Sequence, residues 1–94
     1  MEREKLLNGS PFTATGVLAT GPCDFSRVRL VASGAPCRVI LYDTDPAGNV
    51  EMITLDALVG APDEYDGAAN RKLPFPNGAS CAFTGPGKLY VYYT

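Results

Sequence analysis

LPFPNGASCAFTGPGKLYVYYT, residues 73–94, ends the chain and decides its fold class. Two apolar-rich runs, residues 79–84 and 88–93, stand on either side of the turn sequence Gly85-Pro86-Gly87. Such runs, split by a short turn that contains glycine, predict a β-hairpin. The ending Tyr92-Tyr93-Thr94 predicts that the end of the chain is tied into a sheet.

The rest of the chain repeats this pattern of short strands and turns. From Phe12 onward, strand-like runs recur at intervals of roughly 10 to 15 residues, with Gly, Pro, Asn and Asp between them. We expect strands over residues 12–20, 24–32, 37–43, 50–55, 79–84 and 88–93. This spacing is typical of sandwiches and barrels. The sequence therefore predicts an all-β fold, an antiparallel β-sandwich that is jelly-roll-like or Ig-like.

Alternation along the strands predicts which side chains share a face. One face of the second and last strands would carry Val28, Leu30, Ala32, Leu89, Val91 and Tyr93. The opposite face would carry Arg27, Arg29, Val31, Tyr90 and Tyr92. The four successive bulky residues 39–42 instead predict a strand covered on both faces, at the centre of the core.

Two segments lack a clear pattern. Residues 56–60 are consistent with a helical turn capped by Asp56 or with the end of the preceding strand. Residues 60–67 are predicted to form an exposed acidic loop. The two prolines of residues 73–76 exclude a central strand, so we expect an edge or crossover segment with Phe75 turned inward.

The polar segment 1–11 is predicted to be a short N-terminal arm, and residues 12–94 the β-sandwich domain. The turn sequence Asn8-Gly9-Ser10-Pro11 separates the two. Residues 2–7 have the composition of one helical turn, which is marginal in water unless it docks. A frayed terminus and an arm that orders on a neighbouring subunit both fit this sequence.

Size and charge limit the classes of function. A chain of 94 residues has one core. Its net charge of −2, without a cluster of Lys and Arg, argues against nucleic-acid binding. No apolar run approaches the roughly 18 residues of a membrane span, and residues 1–9 lack the apolar core of a secretory signal. We therefore expect no nucleic-acid or membrane partner and synthesis in the cytoplasm.

The chain contains no histidine, the residue most used as a general base and as a metal ligand. The carboxylates lie in turns, where solvation and turn formation account for them. Asp43-x-Asp45 begins like a calcium loop, but Ala47 and Thr54 stand where oxygen ligands are needed, so a plain turn is favoured. The prediction is a protein that is not an enzyme and has no cofactor and no metal.

Three cysteines, Cys23, Cys37 and Cys81, are an odd number without paired spacing. We expect them to be reduced and to pack as small apolar residues. A Cys23–Cys37 bridge stays open as an alternative, because sequence does not place the two Cα atoms.

The side chains best suited to a binding surface are aromatic, apolar and basic. Tyrosines at alternate positions pack at subunit interfaces or stack on sugars or bases, although ordinary cross-strand packing also explains them. The candidate protein interface consists of Leu6, Leu7, Phe12, Arg27, Arg29, Tyr90 and Tyr92. The alternative is a small carbohydrate-binding module that uses Tyr90 and Tyr92 with Asp43 and Asp45.

Five runs of the sequence carry a resemblance to known proteins. They are GVLATGP (16–22), RVRLV (27–31), VILYD (39–43), LPFPNG (73–78) and LYVYY (89–93). Their order resembles small virion proteins of tailed bacteriophages: capsid decoration, head-fibre and related accessory subunits built as β-sandwiches.

The resemblance implies a capsid decoration (cement) subunit, located in the virion and assembled in the host cytoplasm. Its partners would be the major capsid protein or other virion proteins. It also implies a homo-oligomer, for which a trimer would suit sites of local threefold symmetry. A head-tail or tail accessory protein is the near alternative.

Overall fold

The computed structural model describes residues 4–44, 48–67 and 71–94. These residues form ten strands and one 3-10 turn, Leu7–Gly9. The strands are β1 Lys5–Leu6, β2 Gly16–Thr20, β3 Cys23–Phe25, β4 Arg27–Ala32, β5 Cys37–Asp43, β6 Val50–Ala57, β7 Asp63–Asp66, β8 Leu73–Phe75, β9 Gly78–Thr84 and β10 Gly87–Tyr93. In the described part of the chain, no helix has the length and apolar character needed to cross a membrane.

The strands form two four-stranded sheets and one two-stranded sheet. The first sheet has the order β1-β10-β4-β7 and the second the order β2-β9-β5-β6. Strands β3 and β8 pair with each other, and every pairing is antiparallel. The predicted all-β antiparallel sandwich is therefore confirmed.

The core lies between the inner faces of the two large sheets. Val28, Leu30, Leu89 and Val91 enter it from the first sheet, as the alternation predicted, and all four are fully buried. Val39, Leu41, Ala79 and Cys81 enter it from the second sheet. Phe25 and Phe75 pack with ring centroids 5.0 Å apart, so Phe75 is turned inward as expected.

The prediction that residues 39–42 are covered on both faces is wrong. Val39 and Leu41 are fully buried, but Arg38 is exposed, and Ile40 and Tyr42 are only half-buried. The reason is that an antiparallel sheet packs one face on the core and turns the other to solvent. The strand still lies at the centre of the second core face, between β9 and β6.

The β-hairpin predicted at Gly85-Pro86-Gly87 is also wrong. Strand β9 belongs to the second sheet and β10 to the first, so the turn carries the chain across the sandwich. The connection from β4 to β5 crosses beside it, and Ser33 N donates to Pro86 O at 3.1 Å. Gly85 has a φ of 93°, and a Cβ on it would collide with the carbonyl oxygen of Pro36. The glycine thus permits two crossing connections to touch.

The strand predicted over residues 24–32 is divided at Ser26. Residues before Ser26 pair with β8 and those after it pair with β10. The Ser26 backbone N–H donates to Tyr92 O at 2.9 Å. The strand predicted over 12–20 is shorter than expected: β2 begins at Gly16, and Phe12 forms an isolated bridge with Leu89.

The acidic segment is more regular than predicted. Strand β6 continues to Ala57, which confirms the strand-end reading of residues 56–57, and a tight turn joins Leu58 to Ala61. Residues 63–66 are strand β7 and not an exposed loop. They pair with β4 so that Glu64 lies opposite Arg29 and Asp66 opposite Arg27. Opposite charges across the ladder stabilise a strand of low intrinsic propensity.

The described part of the N-terminal arm lies on the domain. Lys5 and Leu6 pair with Tyr93 and Tyr92, so the expected helical turn and frayed end are wrong for these residues. Phe12 exchanges two backbone hydrogen bonds of 2.8 Å with Leu89. The arm thus extends the first sheet beyond β10. The division of the chain at residue 11 stays a prediction.

The crossing at Gly85 can be tested by Gly85→Ala. The substitution is expected to destabilise the protein by at least about 2 kcal/mol, since it combines a positive φ with a backbone collision. Urea unfolding followed by circular dichroism measures the change. Gly16→Ala is the control, because a Cβ there has no atom within 4 Å. Equal stability of the two variants would contradict the crossing described here.

Candidate protein-binding face

The outer face of the first sheet gathers side chains from four strands. Directly opposed residues on neighbouring strands point to the same side of a sheet. One row therefore runs from Leu6 through Tyr92 and Arg27 to Asp66. A second row contains Tyr90, Arg29 and Glu64. We call this surface the Tyr-Arg face.

Arg27 is the most constrained side chain of the Tyr-Arg face. Its guanidinium carbon lies 4.2 Å from the centroid of the Tyr92 ring, a cation–π contact. Its Nη2 is 2.8 Å from Glu4 Oε1, and its Nη1 is 3.4 Å from Glu64 Oε1. Glu4 also accepts a hydrogen bond from Ser26 Oγ at 3.0 Å. The arginine is thus fixed in place before any partner arrives.

Arg29 is held less tightly than Arg27. Its Nη1 is 3.7 Å from Glu64 Oε2, and 41% of its side chain is exposed, against 32% for Arg27. Exposed ion pairs of this kind contribute only about 0–1 kcal/mol. Arg29 can therefore leave Glu64 for a carboxylate of a partner at small cost.

The structure brings together five of the seven residues predicted to form an interface. Leu6, Arg27, Arg29, Tyr90 and Tyr92 are neighbours on the Tyr-Arg face. The other two, Leu7 and Phe12, pack instead against the hydrophobic core and anchor the arm.

The acidic members of the face, Glu4, Glu64 and Asp66, were not predicted from the sequence. From its sequence, segment 63–66 is predicted to be a loop, since three of its four residues are acidic. In the structure Asp63 and Tyr65 are half-buried and Glu64 and Asp66 are exposed, but with Tyr65 as its only apolar residue the segment carries no alternation in sequence that would indicate a strand.

The set of residues considered for carbohydrate binding is not brought together. Asp43 lies on β5 in the second sheet and is buried, while Tyr90 and Tyr92 face outward on the first sheet. Asp43 Oδ1 accepts a hydrogen bond from Asn77 N, and Asp43 Oδ2 accepts one from Asn77 Nδ2, both at 2.9 Å. Asp45 lies outside the described residues. Asp43 therefore closes the Asn77-Gly78 turn, a structural role.

Two further carboxylates, Asp63 and Glu51, also have structural partners. Asp63 Oδ2 accepts from Asp56 N and Oδ1 from Glu64 N, both at 2.9 Å. Thr54 Oγ1 donates to Glu51 at 3.3 Å. Within residues 4–44, 48–67 and 71–94, no group of three or more acidic or thiol side chains is placed to hold a metal ion. Ala47 lies outside these ranges.

The three thiols are free, as expected, and no Cys23–Cys37 bridge is formed. Burial raises the pKa of the Cys81 thiol, and a hydrogen bond from the backbone of Gly16 lowers it by less. Burial alone raises the pKa of Cys37. For Cys23 the pKa is raised by burial first and then by the charges of nearby carboxylates. All three thiols are thus disfavoured as nucleophiles, since the thiolate is the reactive form.

The outer face of the second sheet differs in chemistry and serves as a reference surface. Ile40 lies between Ala82 and Thr54, so its centre is uncharged. On this face Arg38 Nε lies 2.6 Å from Asp56 Oδ1, and more than half of each side chain is exposed.

Comparison with known protein families, with curated proteins and with solved structures finds no match to this chain.

The structural role of Asp43 predicts a large effect of Asp43→Ala. The substitution leaves two donors of Asn77 without their acceptor, and we expect a loss of about 2–3 kcal/mol in the free energy of unfolding. Urea titration measures it. Asp24→Ala, at an exposed position of β3, should change stability by less than about 0.5 kcal/mol. A similar small effect of both substitutions would show that the turn does not need Asp43.

The raised pKa values of the thiols predict a loss of stability at high pH. In the unfolded chain a thiol ionises near its ordinary pKa of 9.0, whereas in the folded chain ionisation is delayed to higher pH. The free energy of unfolding should therefore fall as the pH rises above about 9. Urea titrations of the native protein and of Cys81→Ala measure this. The free energy of unfolding of the variant should fall less steeply with pH. Parallel curves for the two proteins would contradict a raised pKa of the Cys81 thiol.

Proposed function

We propose that this chain is a structural virion protein of a tailed bacteriophage, a capsid decoration subunit that binds the head shell through its Tyr-Arg face. The observation that carries the proposal is the gathering of Leu6, Arg27, Arg29, Tyr90 and Tyr92, all half-buried, from three separate segments on the outer face of one sheet. The sequence resemblance to small β-sandwich accessory proteins supplies the class of partner. The shell would be the major capsid protein or another virion protein.

The composition of the face supports protein binding. Tyrosine and arginine are enriched at protein interfaces and dominate their binding energy. Arg27 is already ordered by Tyr92 and Glu4, so little side-chain entropy remains to be lost on binding. The mixed charges of Arg29 and Glu64 give a partner both signs to pair with, which favours specificity over raw affinity.

The size of the face supports a role in a repeated lattice. Four strands about 4.8 Å apart, with six or seven residues in the two longest, present on the order of 400 Å². A stable one-to-one interface buries about 800 Å² on each partner. A single contact through this face is therefore weak. Binding becomes firm when several symmetric copies are linked, because each further contact is then intramolecular.

The same face would serve the near alternative, a head-tail or tail accessory protein, since both roles bury surface against virion proteins. Carbohydrate binding is less favoured. Arg27 covers one side of the Tyr92 ring, which a sugar would need for stacking, and Asp43 is engaged with Asn77. Self-association into a homo-oligomer, for which a trimer suits threefold sites, belongs to the proposal as well.

Sedimentation with phage heads tests the proposal. The purified chain is mixed with heads of the phage that encodes it, from which the chain has been removed, and bound protein is measured after a density gradient. Arg29→Glu should lower the affinity at least about tenfold, the loss of one interfacial charge contact. Arg38→Glu, on the reference face, should bind as the native chain does.

Three results would count against this function. If the native chain stays at the top of the gradient, it does not bind heads and the capsid function is wrong. If both variants bind equally well, the Tyr-Arg face is not the binding surface. Retention on a glycan column that Tyr90→Ala abolishes would instead support the carbohydrate alternative.

A further inference from the structure

The contacts of the segment Glu4–Phe12 form a separable set along one edge of β10. Its backbone pairs at Lys5, Leu6 and Phe12. Its side chains add the Glu4–Arg27 ion pair and the packing of Leu7 and Phe12 on the core. We call the surface that this short peptide covers along the edge of β10 the groove.

The segment does not follow β10 as a regular strand. Between the pair Leu6–Tyr92 and the pair Phe12–Leu89, residues 7–11 of the segment lie opposite residues 90–91 of β10. Asn8 and Gly9 have φ values of 65° and 69°, which lets the chain bulge and return. The apolar side chains on either side of the bulge thus reach the core from a peptide that makes few ladder bonds.

A short exposed connection joins this segment to the second sheet. Thr13, Ala14 and Thr15 are exposed and lie outside the strands, and β2 begins at Gly16. The segment therefore belongs to the first sheet in space and to β2 of the second sheet in sequence. Such an arrangement, an edge peptide on an exposed linker, is the one that domain exchange requires.

We propose that Glu4–Phe12 is an exchangeable strand, which docks on β10 of a second copy of this chain as well as on its own. Without it, the edge of β10 would present open backbone groups at Leu89 and Tyr93 together with an apolar groove. The groove fits this sequence: it offers sites for two apolar side chains, and Arg27 and Ser26 for Glu4. The occupant that matches it in full is the same segment of another copy.

Concentration sets the balance between the two states. The closed and exchanged forms make the same contacts at the groove and differ in the path of residues 13–15. Two hydrogen bonds hold this connection on β9, from Cys81 Sγ to Ala14 O at 3.7 Å and from Phe83 N to Thr15 Oγ1 at 2.8 Å, so exchange must turn the chain at Thr13 or break these bonds. The closed form is favoured in dilute solution. The exchanged form becomes more populated when copies are held side by side, because effective concentrations then reach the millimolar range. This inference does not rest on the proposed function, since any dense array of copies would favour it.

Cross-linking between two singly substituted chains tests the exchange. Lys5 and Tyr93 lie directly opposite each other, and such Cα atoms are about 4.5–5.5 Å apart, within disulfide range. A Lys5→Cys chain and a Tyr93→Cys chain are mixed in equal amounts, unfolded, refolded at high concentration and oxidised. Exchange predicts a disulfide-linked heterodimer in up to about half of the dimers, by random pairing of the two chains.

Three controls fix the interpretation. Lys88→Cys replaces Tyr93→Cys at an exposed position of the same strand but far from Lys5, and should give no heterodimer. The native chain under the same oxidation shows the background from its own three thiols. A chain that carries both Lys5→Cys and Tyr93→Cys should close within itself in dilute solution, which shows that the geometry permits the bond.

Light scattering of the refolded native chain gives an independent readout. Exchange predicts the mass of two or more chains at high concentration and of one chain after prolonged dilution. A single-chain mass at every concentration overturns the proposal, and so do dimers that form without the Lys5–Tyr93 cross-link. Either failure would leave the effect of Arg29→Glu on head binding unchanged, so the two proposals fail separately.

Discussion

The pairing of β4 with β10 is the constraint on which the rest of the structure depends. It buries Val28, Leu30, Leu89 and Val91 completely, and a slip of one residue would move all four into water. Because side chains alternate, the same register sets Arg27 beside Tyr92 and Tyr90 beside Arg29 on the other side. The placement of Arg27, Arg29, Tyr90 and Tyr92 on the Tyr-Arg face is therefore a consequence of core packing.

Much of this could be predicted from the sequence, because the signals are local. Strict alternation in residues 27–32 and 88–93 predicts both faces of the central pair, and four of the seven interface candidates, Arg27, Arg29, Tyr90 and Tyr92, followed from it. The Pro-flanked Phe75 could be assigned inward for the same reason. The alternation of apolar and polar residues within a strand is enough to predict which of its faces is buried.

The errors concern partners that are distant in sequence. Gly85-Pro86-Gly87 is compatible with a hairpin and with a crossing between sheets, and the choice depends on Pro36, which lies almost fifty residues away. Strand β7 exists because Arg27 and Arg29 lie beside it, and neither arginine is visible from an acidic run read alone. In both places tertiary contacts override local propensity, which has little strength in strands.

The sheet edges explain why the N-terminal segment matters to the face beside it. Strand β7 protects its edge with exposed acidic side chains, and Asp63 accepts a hydrogen bond from the Asp56 N–H of β6. The edge of β10 depends instead on the N-terminal segment, which contributes two ladder pairs and one bridge. That segment also supplies Glu4 to Arg27. Loss of the segment would remove the 2.8 Å ion pair of Arg27 and change what the face can bind. Exchange between copies would not, since the incoming segment brings its own Glu4. Exchange of the segment Glu4–Phe12 between copies can therefore link subunits and leave the Tyr-Arg face unchanged.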